Sequence, residues 1–169
     1  DLTIKSTGVV LGVGGGIALL NSGHDMKAMG YMKRARTTQE LTAVTGNGLI
    51  IKKSLYQSVN GLNELLELSF SDIDLCLKVQ AMNYKVVWTP LSTLMCKGEA
   101  SISATPQIIE QSKKERDYIL SHWLTELAQD KAYNSNTSLK QASFEPDEGM
   151  LVSWDAQIKK EGWNESEFK

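Results

Sequence analysis

The feature that most constrains this chain is a glycine-dense run near its start, Gly8-Val-Val-Leu-Gly-Val-Gly-Gly-Gly16, continued by Ile17-Ala-Leu-Leu20. Short β-branched stretches broken by glycine predict a brief strand, then backbone that needs positive φ or close approach to another element. The run fails as a phosphate-binding loop. That motif needs a glycine-rich turn entering a long amphipathic helix, with an acidic residue about 20 positions on. Here the run enters Asn21-Ser-Gly-His-Asp25, a turn composition. Domains normally open on a regular element with its own hydrophobic period, so this opening is expected of a piece of a larger unit.

Charge follows the glycines. Ten of the 13 glycines fall in residues 1 to 61, a stretch with seven Lys/Arg and three Asp/Glu (+4), which leaves 11 against 17 (−6) for residues 62 to 169. The first third reads as basic and loop-like, the remainder as acidic and helical. The whole chain, 169 residues with 41% hydrophobic, 22% charged and a net charge of −2, suffices for one domain with a real core. The weak acidity argues against a nucleic-acid partner held by bulk charge. Two cysteines at this size point to a reducing cytoplasm and not to a disulfide scaffold. No stretch nears about 18 consecutive apolar residues, and the start lacks a charged segment followed by a long apolar one, so neither a membrane span nor a signal peptide is expected.

Residues 26 to 41 carry Lys27, Lys33, Arg34 and Arg36 and read as an exposed basic loop, most simply a solvated face. Residues 42 to 52 look like a buried strand interrupted by Gly46 and Gly48. Ser54 is placed to cap a short helix ending near Asn60-Gly61. A helix start follows at Ser71-Asp72, with Leu75, Cys76, Val79 and Met82 at helical spacing and Asn83 closing it. Residues 84 to 88 read as a strand, Thr89-Pro90 as a break, and residues 91 to 96 as a second short strand. Thr105-Pro106 is an N-cap and first-turn pair. It opens the longest helix, striped by Ile108, Ile109, Ile119, Leu120, Trp123, Leu124 and Leu127 and running to about Gln129. Residues 130 to 136 are turn-rich, and the acidic tail carries Trp154 and Trp163.

The sharpest local feature is Phe70-Ser-Asp-Ile-Asp-Leu-Cys-Leu-Lys78, with Asp72 and Asp74 two positions apart at a helix start. Positions i and i+2 on a helix point about 200° apart, so one helix cannot close both carboxylates on a single ligand. A carboxylate at a helix N-terminus is stabilised as the anion, which suits a general base acting on a sugar hydroxyl. Capping is the commoner use of Asp there, and both uses fit the residue. Cys96 reads as a small buried hydrophobe, having no neighbouring His or second Cys to make a metal site. His122 reads as structural and Cys76 as part of its helix's core face.

Taken together, Thr45-Gly46-Asn47-Gly48 with the following Leu-Ile-Ile-Lys-Lys-Ser-Leu-Tyr, Val59-Asn-Gly-Leu-Asn-Glu64, Phe70 to Lys78 and Asn83-Tyr-Lys-Val-Val-Trp-Thr-Pro90 resemble the second half of a family 2 glycosyltransferase. The Gly8–Gly16 run, Gly30-Tyr31 and Ala43-Val-Thr-Gly46 are similar to the branch that builds bacterial surface polysaccharides such as O-antigen or rhamnose-rich glycans. Residues 132 to 139 resemble the segment that closes that domain. The resemblance is colinear over about residues 7 to 140.

It implies an α/β fold, part of a GT-A (Rossmann-like) domain with a short mixed sheet, flanking helices and a long C-terminal helix. Residues 1–140 would be its acceptor side and residues 141–169 an acidic tail. Asp72 would take the place of the base in an inverting transfer, with Gly46, Asn47, Glu64, Asp74 and Lys97 on the substrate side. Lys97 would meet a diphosphate as a point charge. A divalent metal, Mg or Mn, is expected in the intact enzyme, with its ligands mostly outside these residues and none assigned within them. The implied partners are a nucleotide-sugar donor and a glycan or lipid-linked acceptor. The implied location is cytoplasmic or peripheral at the inner face of the plasma membrane. A half-fold would also leave a sheet edge and an apolar face exposed, which points to self-association. Three positions depart from the family's pattern: Cys96-Lys97 stands where a histidine pair is usual, Asn60-Gly61 where a glycine pair is, and Leu19-Leu20 where a histidine often follows the first glycine run. The Cys96-Lys97 departure supports a second reading, a glycosyltransferase-like module that binds carbohydrate or assists assembly without catalysis.

Overall fold

A computed structural model of the chain describes residues 2–96, 105–134 and 136–146. The described residues form a mixed α/β structure with four short strands, β1 (Val9–Leu11), β2 (Ile17–Leu19), β3 (Gln39–Leu41) and β4 (Val86–Trp88). Three α-helices accompany them, α1 (Lys53–Ser58), α2 (Ser71–Ala81) and α3 (Pro106–Ala128). In place of one mixed sheet, the strands form two antiparallel pairs, β1 with β2 and β3 with β4. An antiparallel bridge between Val9 and Ala43 links the two, through Val9 N–H donating to the Ala43 carbonyl at 3.0 Å.

The glycine run makes the β1–β2 hairpin. Val9, Val10 and Leu11 are all buried, which explains three consecutive apolar residues on a strand where one-sided burial would alternate. Val9 and Leu11 face the main core with Leu75, Cys76, Leu77 and Ile119, while Val10 faces a second core with Leu20, Leu41, Tyr133 and Phe144. Between the strands the chain turns through Gly12 (φ +77°) and a 3-10 turn over Val13–Gly15. A Cβ on Gly12 would lie 2.6 Å from the Leu127 carbonyl oxygen at the end of α3, so the close approach expected of this run is real. The second core is closed by residues 133 to 146. The Tyr133 hydroxyl donates to the Ser138 carbonyl at 2.7 Å, its ring packs tilted against Phe144 with centroids 4.8 Å apart, and packing continues past residue 140.

Residues 42 to 52 do not form the expected strand. Beyond the bridge at Ala43 the backbone turns at Gly46, with Leu49 N–H returning to the Gly46 carbonyl at 3.3 Å and Gly48 at φ +81°. The glycine pair therefore sets a turn instead of interrupting a ladder. The basic stretch is also more than loop: it holds a 3-10 turn over Tyr31–Arg36 and then β3. Lys27, Lys33 and Arg36 are exposed, whereas Arg34 is half-buried with its guanidinium 3.8 Å above the Phe144 ring. Helix α1 starts after Lys52 with no side-chain cap, so Ser54 lies inside it, and it stops through left-handed Asn60 and Gly61 as expected.

Helix α2 buries Ile73 through Leu77 and Val79, and Cys76 joins the core as expected; Met82 lies beyond the last turn and is exposed. Residues 91 to 96 form no strand, and Cys96 is exposed, contrary to its reading as a buried hydrophobe. Helix α3 is capped by the Thr105 hydroxyl, which accepts from Ile108 N–H, with Pro106 in its first turn. Only part of its stripe is buried: Ile119 and Leu127 enter the core, Trp123 packs against it, and Ile109, Leu120 and Leu124 face outward. The buried members fall at four-residue intervals with Glu115 in line. The helix departs from helical geometry at Trp123 (φ −123°, ψ 27°). There the Tyr118 carbonyl is shared by the Ser121 hydroxyl at 2.9 Å and His122 Nδ1 at 3.0 Å, a competition that bends helices. His122 thus has a structural role, its ring stacked on Tyr118 at 3.9 Å. No helix among the described residues is long and apolar enough to cross a membrane.

Candidate functional site

The site is assembled where the turn at Gly46 meets the start of α2. Asp72 is half-buried, and its carboxylate accepts the Gly46 N–H on Oδ2 at 2.7 Å and its neighbour Ile73 N–H on Oδ1 at 2.9 Å. The second bond takes up one of the free amides of the helix's first turn, so Asp72 partly fulfils the capping use as well. The first bond reaches across 26 residues of sequence and holds the side chain in a fixed direction. Each carboxylate oxygen keeps an unused lone-pair direction, so the group can accept a hydrogen bond from an incoming hydroxyl. Gly46 leaves space: an added Cβ would only touch Asp72, at 3.5 Å.

Asp74 is placed otherwise. It is fully buried, accepting from Trp123 Nε1 at 2.9 Å on Oδ1 and facing Lys78 Nζ at 2.7 Å on Oδ2. The 200° divergence expected of two positions on one helix is realised, with Asp72 half-buried and Asp74 in the interior. Asn47 and Glu64 are exposed, and among the described residues no hydrogen bond joins either to Asp72. Lys97 lies outside the described residues, as do Trp154 and Trp163. The structure therefore brings Gly46 and Asp72 together, sets Asn47 beside them in sequence, and sends Asp74 inward.

A cleft of about 950 Å³ opens next to this point. Thr45, Asn47 and Gly48, on either side of Gly46, line it together with Lys52, Trp88 and Cys96, while Asp72 itself is not in its wall. Leu75, Cys76 and Val79 of the main core form part of its floor. Burial pushes the Cys76 thiol up to about 11, with the nearby Asp72 charge acting in the same direction, so this thiol stays protonated and is not a nucleophile.

The described residues do not fit a divalent cation. Among those described, no group of three or more His, Cys, Asp and Glu could hold a metal. The second acid of the motif, Asp74, already faces an ammonium in the interior.

Two acids escaped the sequence reading. Glu115 is 1% exposed and accepts the N–H groups of Leu68 at 3.0 Å and Ser69 at 2.8 Å, the residues that lead into α2. Its readable signal was its place four residues before Ile119 on the buried stripe, where a lone charge must find partners. Asp130 accepts Leu11 N–H at 2.8 Å on Oδ2 and Ala132 N–H at 2.8 Å on Oδ1, which also takes the Thr42 hydroxyl. Nothing in its local sequence separates it from an ordinary turn residue.

No family model matches the chain, and no solved structure matches it. Among curated proteins, the uncharacterized protein y4gI of Sinorhizobium fredii (strain NBRC 101917 / NGR234) is 39% identical over 150 residues, 85% of this chain and 16% of that protein. The chain is thus similar to one stretch of a much longer protein and spans about 16% of that relative's length.

Proposed function

We propose that this chain supplies the base and the acceptor side of a nucleotide-sugar-dependent inverting glycosyltransferase of the family 2, GT-A type, acting in cell-surface polysaccharide synthesis. The observation that carries the reading is Asp72, a carboxylate at a helix start fixed by the Gly46 and Ile73 amides and free to accept a further hydrogen bond. Its support in sequence is the colinear resemblance from the Gly46 segment through Pro90. In the proposed step an acceptor hydroxyl hydrogen-bonds to Asp72. Its oxygen forms the new bond at the anomeric carbon as the bond to the nucleotide diphosphate breaks, and the hydroxyl proton passes to Asp72. Among the described residues no group of side chains fits a metal, and in this step Asp72 alone takes the proton.

A second reading, a carbohydrate-binding or assembly module without catalysis, is favoured by the cleft wall, which contains Asn47 and Lys52 but not Asp72. The test uses the intact protein that carries this chain, supplied with a panel of UDP-, GDP- and dTDP-linked hexoses. Asp72→Asn is expected to abolish transfer while donor binding persists. Unchanged transfer would remove the assignment, and donor binding without transfer in the unaltered protein would favour the module.

A further inference from the structure

We propose that Glu115 and Trp123 of α3 are positioning residues that together aim Asp72 at the Gly46 turn. The proposal rests on the reading of Asp72 as the base. Glu115 holds the two amides just before α2, Leu68 N at 3.0 Å and Ser69 N at 2.8 Å, and its own Oε1 is steadied by Gln111 Nε2 at 3.1 Å. Eight residues further along α3, Trp123 Nε1 holds Asp74 at 2.9 Å. Asp72 lies between these two anchored points, and its direction follows from where they fix the first turn of α2.

Phe70 makes the arrangement more than ordinary packing. It stands at the N-cap with φ 66° and ψ −4°, a left-handed conformation in which a bulky aromatic residue is strained, and it caps nothing with its side chain. Such a conformation persists only where the surroundings enforce it. Glu115 enforces it from one side by holding residues 68 and 69, and the Asp74–Trp123 bond enforces it from the other. The departure from helical geometry that accompanies the Ser121 and His122 contacts at the Tyr118 carbonyl falls at Trp123, the residue whose indole N–H reaches Asp74. A carboxylate held by two backbone amides and an indole held by a buried carboxylate are strong, direction-specific contacts. They place α3 in control of the Gly46–Asp72 distance.

The Gly46 amide reports that distance directly, because it donates to Asp72. In the ¹⁵N-labelled full chain, Asp72→Ala gives the proton shift and exchange rate of the broken bond. Glu115→Gln replaces one acceptor oxygen by a donor facing an amide. It is expected to move the Gly46 proton shift toward the Asp72→Ala value and to speed its exchange about tenfold or more. The Leu11 amide, held by Asp130 elsewhere in the fold, should stay as in the unaltered chain. Trp123→Phe keeps an aromatic ring at this position but removes the indole N–H together with part of the ring volume, so it is expected to act in the same direction with the Leu11 amide as the control for general loosening, and it decides the matter should Glu115→Gln fail to fold. A Gly46 amide unchanged in the folded variants, or Gly46 and Leu11 loosened equally, would overturn the proposal. No donor or acceptor enters this measurement. Positioning by α3 can therefore hold even if Asp72→Asn leaves transfer intact, a result that would sink the base and not its placement.

Discussion

Asp130 and Leu11 are 119 residues apart in sequence, and the carboxylate of one holds the backbone N–H of the other at 2.8 Å. The same side chain takes the Thr42 hydroxyl and the Ala132 N–H on its second oxygen. One buried acid thus ties β1, the segment after β3 and the turn after α3 into one unit. Asp130→Asn keeps the shape but turns one oxygen into a donor facing a donor. It is expected to cost about 2–3 kcal/mol and to lower Tm by about 5–10 °C, read by circular dichroism on heating. Thr42→Val, which leaves both amides paired, should cost about 1 kcal/mol.

Gly12 and Gly14 share a left-handed backbone but differ in surroundings, at φ +77° and φ +63°. An alanine Cβ at Gly12 would lie 2.6 Å from the Leu127 carbonyl oxygen, whereas at Gly14 nothing lies within 4 Å. Gly14→Ala should therefore show only the backbone cost of a non-glycine residue at positive φ, about 1 kcal/mol. Gly12→Ala adds a clash with backbone that cannot swing aside and should cost at least about twice as much. Urea unfolding of the two variants measures the gap. Equal costs would mean that the hairpin does not press on the end of α3.

What could be read in advance, and what could not, follows from which interactions are local. Helices α2 and α3 were legible because Leu75, Cys76 and Val79 repeat at helical spacing and Thr105-Pro106 is a start signal that acts within one turn. Strands β2 and β3 were not, because three residues with mixed burial carry no period. The apolar run after Ala43 looks like a strand locally, but its turn at Gly46 is held by Asp72, 26 residues away. Cys96 was misplaced for a related reason: burial of a lone cysteine depends on neighbours that its own segment does not name. Asp72 was singled out from its motif, whereas of the two residues proposed to place it Trp123 was read as part of a plain helix stripe and Glu115 was not singled out at all.

The Asp74–Lys78 pair is unequal, with the carboxylate 1% exposed and the ammonium side chain 25% exposed at 2.7 Å. Removing the cation leaves a buried charge with only the Trp123 N–H, whereas removing the anion frees a lysine that can reach water. Lys78→Met is therefore expected to destabilise by about 3 kcal/mol or more, the cost of an uncompensated buried charge. Asp74→Asn, which can still accept from Trp123, should cost only about 1–2 kcal/mol. Chemical unfolding of the two single variants tests the order. The reverse order would mean that Lys78, not Asp74, is the member locked in the interior.

Cys76 gives the chain a pH dependence on the alkaline side. Its thiol is 3% exposed, and burial, reinforced by the Asp72 charge, pushes it from 9.0 up to about 11. Between those values the unfolded chain releases the proton and the folded chain keeps it, so the unfolded state binds fewer protons and stability falls as pH rises. The contribution is fully present below pH 9 and is lost by about pH 11, in total about 2–3 kcal/mol. Tyrosine and lysine titrate in the same range, so the informative quantity is the difference from Cys76→Ala. At about pH 8 the variant should be less stable by about 1 kcal/mol for the lost side-chain volume. That gap should close and then reverse as the pH reaches about 11, since only the unaltered chain loses the thiol's contribution. Urea midpoints across the range give the comparison, and parallel curves for the two proteins would place the Cys76 thiol in contact with water.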